Sequence, residues 1–194
     1  MKNRKLYLIK EEEKWCKGGF GGSLLNGNHA KVARPFHSKY AQHVVLRSTI
    51  AKGKLSLLLK NKEIESEIRK QANRFYVKIY QIANAGNHIH LVLRAYKHIE
   101  FRKFIRIIAS LIARLVLGAK RNSAVLKDSN RRFWDARPWS RLISWGQHFK
   151  NAVDYLRLNK IEVNFNLKRF TAREILCKLK VAENGSRLIA TGFV

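Results

Sequence analysis

Two strand-like runs, Tyr76 to Ile82 and His88 to Leu93, flank the segment Asn84-Ala85-Gly86-Asn87. A connection that short, with a glycine in it, makes neighbouring strands antiparallel, because a parallel pair needs a crossover of about a dozen residues or more. The remaining elements must be arranged around this hairpin. Upstream, Gln42-His43-Val44-Val45-Leu46-Arg47-Ser48 is β-rich, and Lys60 to Asn73 carries Ile64 and Ile68 at i, i+4 in a polar stretch, which predicts a modest helix. Downstream, residues 99–118 repeat Phe101, Phe104, Ile105, Ile108, Leu111, Ile112 and Leu115 at spacings of three and four. That pattern predicts a helix buried on most sides, with Gly118 as its terminator. Arg141-Leu142-Ile143 reads as a strand, and Phe149, Ala152, Val153 and Leu156 mark one face of a helix beginning near Gln147. Thr171 and Glu174 fit a capping box for a last helix through Ile175, Leu176 and Leu179. The order β, α, β, β, α, β, α predicts an α+β fold, an antiparallel sheet with its helices on one face.

The chain of 194 residues suits one domain with extra arms. Residues 1–38 read as a basic arm, flexible through Gly18-Gly19-Phe20-Gly21-Gly22 and ending near Pro35. Residues 39–162 read as the folded domain and 163–194 as a C-terminal extension with a short helix. Lys and Arg number 40 against 13 Asp and Glu, a formal charge of +27. Such a cation repels itself, which argues against a small neutral substrate and for a polyanionic partner. The 46% hydrophobic content argues against wholesale disorder. Cys16 and Cys177 stand alone, outside any C-x-x-C, and read as reduced thiols. No run approaches the ~20 apolar residues of a membrane span, and the N-terminal residues do not resemble a signal peptide. A cytoplasmic protein without a membrane partner is expected.

Within the second hairpin strand, His88 and His90 alternate with Ile89. Positions i and i+2 share a face of a strand, so the two imidazoles project side by side. They form either a bidentate platform for a divalent metal or a pair of half-buried, hydrogen-bonded histidines. Tyr155 and Asn159 stand one turn apart on the helix after Gln147, at the flank of its apolar arc. Asn159 can add a carbonyl oxygen to the histidine pair, and Tyr155 an oxygen nucleophile. Taken singly, each of these residues has an ordinary packing or solvated reading.

The segment Gly86-Asn87-His88-Ile89-His90-Leu91 resembles the signature of HUH (His-hydrophobe-His) single-strand nucleases. Together with Tyr155-Leu156-Arg157-Leu158-Asn159, and with Phe133-Trp134 and Trp139 to Ile143 between, the set resembles the REP-associated tyrosine transposases. The resemblance covers roughly residues 34–160. It implies a ferredoxin-like, RRM-like sheet and a Mg²⁺ or Mn²⁺ ion held by His88, His90 and Asn159. It also implies attack by Tyr155 on single-stranded DNA at hairpin-forming repeats, giving a 5′-phosphotyrosine and a free 3′-hydroxyl. Many relatives carry a proline after the asparagine where this chain has Lys160.

Segment 97–170 holds 17 Lys/Arg against five acids. Arg102, Lys103, Arg121, Arg131, Arg132, Arg137 and Arg141 are the expected phosphate contacts around the site. Trp134 and Trp139 could stack on unpaired bases or fill the core, whereas Trp145 reads as core. The competing reading is a domesticated, non-cleaving DNA-binding protein. A nucleoid-associated monomer or homodimer is compatible with either.

Overall fold

The computed structural model describes residues 20–22, 34–119 and 132–190, with side chains to residue 182. Its elements are β1 (Ala41–Arg47), α1 (Asn61–Arg74), β2 (Val77–Asn84), β3 (His88–Ala95), α2 (His98–Leu117), β4 (Trp139–Ile143), α3 (Gln147–Phe165) and α4 (Arg169–Ala190). The four strands form one antiparallel sheet in the order β2-β3-β1-β4. With α1 and α2 as its two crossovers, this is the ferredoxin-like arrangement, and the α+β expectation holds. Two short 3-10 turns, Gly53–Leu55 and Leu57–Lys60, lead into α1.

Helices cover both faces of the sheet, not one. Val44, Leu46, Ile89, Leu91 and Leu93 point to one side, where they pack with Ile64 and Ile68 of α1 and Phe101, Phe104, Ile108 and Ile112 of α2. Their strand neighbours Ala41, Ala83 and Val92 point the other way and meet Leu156, Phe149, Ala152 and Val153 of α3. The sequence carries the reason: Leu91-Val92-Leu93 is a continuous apolar run, which an alternating strand with one wet face would not need.

The hairpin between β2 and β3 is fastened by its own side chains. Asn84 Oδ1 accepts from the Gly86 amide at 3.0 Å, while Asn84 Nδ2 donates to the Leu57 carbonyl at 2.9 Å and to Asn61 Oδ1 at 3.0 Å. Gly86 sits at φ +88°, a conformation that strains other residues, and its carbonyl accepts from the Leu57 amide at 2.9 Å. The start of β3 is thereby held at a set height on the sheet.

Three segments depart from the sequence reading. β4 begins at Trp139, two residues earlier than Arg141, because β1 pairs with it from Ala41↔Ile143 to Val45↔Trp139. The expected flexible arm is not free where it is described: Phe20 and Ser140 exchange backbone hydrogen bonds of 2.8 Å, and Arg34 donates to the Pro138 carbonyl at 2.7 Å. The open edge of β4 supplies the unpaired backbone groups that Phe20 satisfies. The helix expected to open at Thr171 opens at Arg169. After the left-handed residue Asn166 the chain reverses at once, and the Lys168 carbonyl takes the first helical bond from the Ala172 amide at 3.1 Å. Thr171 therefore lies inside the first turn of α4, which spans 22 residues. Ala172 and Leu176 of α4 pack on Leu158 and Ile161 of α3.

Candidate active site

β3 places His88 and His90 on the face covered by α3, with Ile89 buried on the opposite side, as the alternation predicts. α3 crosses that face and brings Tyr155 over the sheet, its ring centroid 5.6 Å from that of His90 and edge-on to it. The two histidine rings are 4.6 Å apart. Tyr155 remains 41% exposed, so a nucleophile there is accessible to a bulky substrate while its ring is fixed.

The chain supplies a third histidine that the sequence reading missed. His43 on β1 lies on the same face, and its Nε2 is 3.0 Å from His90 Nδ1. Its ring is also edge-on to Tyr155, at 6.3 Å, and to Trp139, at 5.3 Å. The alternation 43, 45, 47 was readable, but which β1 residues meet His90 depends on the β1–β3 register, set by Val45↔His90. His88 Nδ1 is engaged too, donating to Asn87 Oδ1 at 2.5 Å. Both Nδ1 atoms therefore have protein partners, and His90 Nε2 is buried with no hydrogen-bond partner among the described residues.

Burial disfavours the charged form of all three imidazoles. Burial, then the charges of His88 and His43, pushes His90 down to about 3. Burial and Arg141 push His43 down to about 4, and burial and Arg47 lower His88. A neutral imidazole keeps the lone pair that a metal or a proton donor needs.

Asn159 is buried, and its Oδ1 accepts from Arg169 at 2.8 Å. The same guanidinium nitrogen pairs with Glu162 at 2.9 Å, and its central carbon lies 5.1 Å from the Tyr155 ring centre. Arg169 thus ties Tyr155 and Asn159 together from the first turn of α4. No group of three or more His, Cys, Asp or Glu arranged to hold a metal occurs among the described residues.

The expected DNA contacts divide. Arg137, Arg141 and Trp139 line two depressions beside Tyr155, and Arg132 is exposed at the start of the segment leading to β4. Arg102 and Lys103 do not surround the site: they are exposed on α2, whose apolar side covers the opposite face of the sheet. The expectation failed there because helical periodicity cannot say which face of the sheet α2 covers. Arg121 and Arg131 lie outside the described residues, as do Cys16 and Gly18-Gly19. Trp134 packs against the core of that far face and donates to the Ala109 carbonyl at 2.8 Å, which makes it a core residue. Trp145, expected in the core, is instead exposed, resting edge-on against Tyr80 at the surface and donating to the Lys39 carbonyl at 2.7 Å.

The described residues thus combine a ferredoxin-like sheet with a histidine pair beneath a helix-borne tyrosine. Residues 37–155 match the model of the family described as "Transposase IS200 like", more than half of the chain, and the chain belongs to that family. Among solved structures it is similar to a REP-associated tyrosine transposase bound to a REP hairpin, with a TM-score of 0.53 and 15% identity. That match covers 69% of this chain and 74% of the other, and shows the fold. No curated protein matches this chain. No helix among the described residues is long and apolar enough to cross a membrane.

Proposed function

We propose that this transposase-family chain cleaves and rejoins single-stranded DNA at hairpin-forming, REP-like repeats, with Tyr155 as nucleophile. The observation that carries the reading is the approach of Tyr155 to His90 across two elements, α3 and β3, that are far apart in sequence. Tyr155 Oη attacks a backbone phosphorus, the bond to the 3′ oxygen breaks, and the phenol's proton ends on the leaving 3′-hydroxyl. The 5′-phosphotyrosine conserves the phosphodiester energy, so that another 3′-hydroxyl can reverse the step and join a new strand.

His88, His90 and Asn159 would hold Mg²⁺ or Mn²⁺. The residues fit such an ion: with His90 Nδ1–H donating to His43 and His88 Nδ1–H to Asn87, both Nε2 lone pairs are left for it. Asn159 Oδ1 has a second lone pair beyond the one Arg169 uses. When bound, the cation supplies polarisation of the phosphate and compensation of charge on the departing oxygen. His43 fixes the orientation of His90. Arg169 steadies the tyrosine and asparagine, and the basic residues beside them draw in the DNA backbone. A phenol is a weak nucleophile at neutral pH, which explains why an accessible tyrosine needs such neighbours.

The test is incubation of the full chain with Mn²⁺ and an oligonucleotide hairpin bearing a single-stranded flank. A covalent protein–DNA band is expected that EDTA and Tyr155→Phe both abolish. A band that persists in Tyr155→Phe, or its absence from the native chain, contradicts this mechanism. Tight, steeply salt-dependent binding indifferent to His88, Tyr155 and chelator would instead establish the non-cleaving reading.

A further inference from the structure

Beside Tyr155 and His90 opens a cavity of about 340 Å³, within the range of small-ligand sites. Trp139, Arg47, Arg137 and Asp135 are among its walls. Gly22 closes one wall and lies so near Trp139 that a side chain there would meet the indole stem at 2.7 Å. The tryptophan is thus backed on one side by Gly22 and abutted by the His43 ring.

Among these basic walls stands one acid, Asp135. An acid repels phosphate, so on a groove meant for a polyanion it reduces general affinity and acts instead to discriminate. Its Oδ1 is occupied, accepting from the Thr49 amide at 2.7 Å and the Thr49 hydroxyl at 2.9 Å. Its Oδ2 is buried with no hydrogen-bond donor among the described residues, although the side chain is only 8% exposed. Arg47 Nε stands 3.7 Å away, near enough to offset charge and too far to donate a bond. A buried, fixed acceptor without a donor costs free energy unless a ligand brings one.

We propose that this cavity receives one unpaired guanine next to the scissile phosphate, read by Asp135 Oδ2. The inference rests on the single-stranded DNA reading above. Guanine offers two adjacent N–H donors, N1–H and the N2 amino group, on its Watson–Crick edge, and O6 and N7 acceptors on the other. Asp135 matches the first pair, the arginines of the wall match the second, and the base face packs on Trp139. Thymine has one imino donor and two carbonyls and cannot satisfy Asp135 while keeping both acceptors toward the arginines. The cavity therefore selects a base at a position where backbone contacts are blind to sequence.

The test uses the full chain carrying Tyr155→Phe, in EDTA, so that cleavage plays no part. The probes are fluorescein-labelled dodecathymidylates, either plain or with one guanine at the centre, and binding is followed by anisotropy. The guanine probe is expected to bind about 10-fold more tightly than the plain one. Adding Asp135→Asn, which keeps the Oδ1 acceptor for Thr49 but turns Oδ2 into a donor, should bring that ratio to about one while affinity for the plain probe stays or rises. Unchanged thermal melting of the variant confirms its fold. Lack of a guanine preference in the parent, or an undiminished preference after Asp135→Asn, overturns the proposal. Because no cleavage is read, a chain that prefers guanine yet forms no covalent band separates this pocket from the nuclease mechanism.

Discussion

The two faces of the sheet are built by the same strands to opposite specifications. On the face beneath α1 and α2, Leu46, Ile89, Leu91 and Leu93 meet Phe101, Phe104 and Ile108 in one dry cluster. On the other face the apolar cluster is small, and α3 leaves His43, His90 and Tyr155 beside cavities open to solvent. Alternate residues of β1 and β3 thus face a dry core on one side and the proposed site on the other. Rigid strands anchored in a dry core hold the imidazoles to a tolerance that a loop would not give.

If that division is real, substitutions on the two faces should separate stability from chemistry, beginning with the largest effects. Phe104→Ala, in the dry cluster, should lower unfolding stability by about 3–5 kcal/mol in denaturant titrations. Tyr155→Phe, on the open face, should leave the unfolding midpoint nearly unchanged. Equal losses would mean that the two faces are not separate in function. His43→Phe should weaken Mn²⁺ binding about 10- to 100-fold by calorimetry, because His90 loses its orienting partner. His43→Gln, which keeps an acceptor near His90 Nδ1, should recover part of the loss, which a purely packing role for His43 would not produce. Replacing Arg137 or Arg141 by Ala should flatten the salt dependence of DNA binding by about one unit of slope each. The Arg102→Ala/Lys103→Ala pair, on the far face, should leave the slope unchanged, and a comparable flattening would place DNA on both faces.

A smaller effect concerns pH in the metal-free chain. His43 and His90 are depressed to about 4 and about 3, against about 6.5 in an unfolded chain. The unfolded state therefore binds protons first as pH falls. The stability these neutral rings contribute is complete above about pH 6.5 and declines progressively toward pH 3–4. Thermal melting of native chain and His43→Phe between pH 7 and 4 should converge, since the variant lacks one of the two groups.

Local patterns carried most of the fold. The hairpin around Asn84–Asn87, the period of α2 and its stop at Gly118, and the shared face of His88 and His90 all depend on neighbours within a few residues. What could not be read locally depends on register and docking. His43 becomes a partner of His90 only through the pairing of β1 with β3. Asp135 is fixed by Thr49, far upstream, and Arg169 reaches Asn159 because the chain turns back at Asn166. The second covered face was legible in the unbroken apolar run of β3, but the expectation of one covered face came from element order alone. Tyr155 and Asn159 share a side of α3 as their spacing requires, and α4 then holds Asn159 through Arg169, a contact no periodicity foretells.

On the open face, Tyr155 Oη is the proposed nucleophile that becomes covalently bonded to a DNA phosphate. Trypsin should release the peptide Asn151–Arg157 from the full chain after reaction with Mn²⁺ and a flanked hairpin oligonucleotide. Tandem mass spectrometry following nuclease digestion should find that peptide carrying a nucleotide phosphate on Tyr155. A nucleotide on any other residue, or cleaved DNA with no modified peptide, would rule out Tyr155 as the nucleophile.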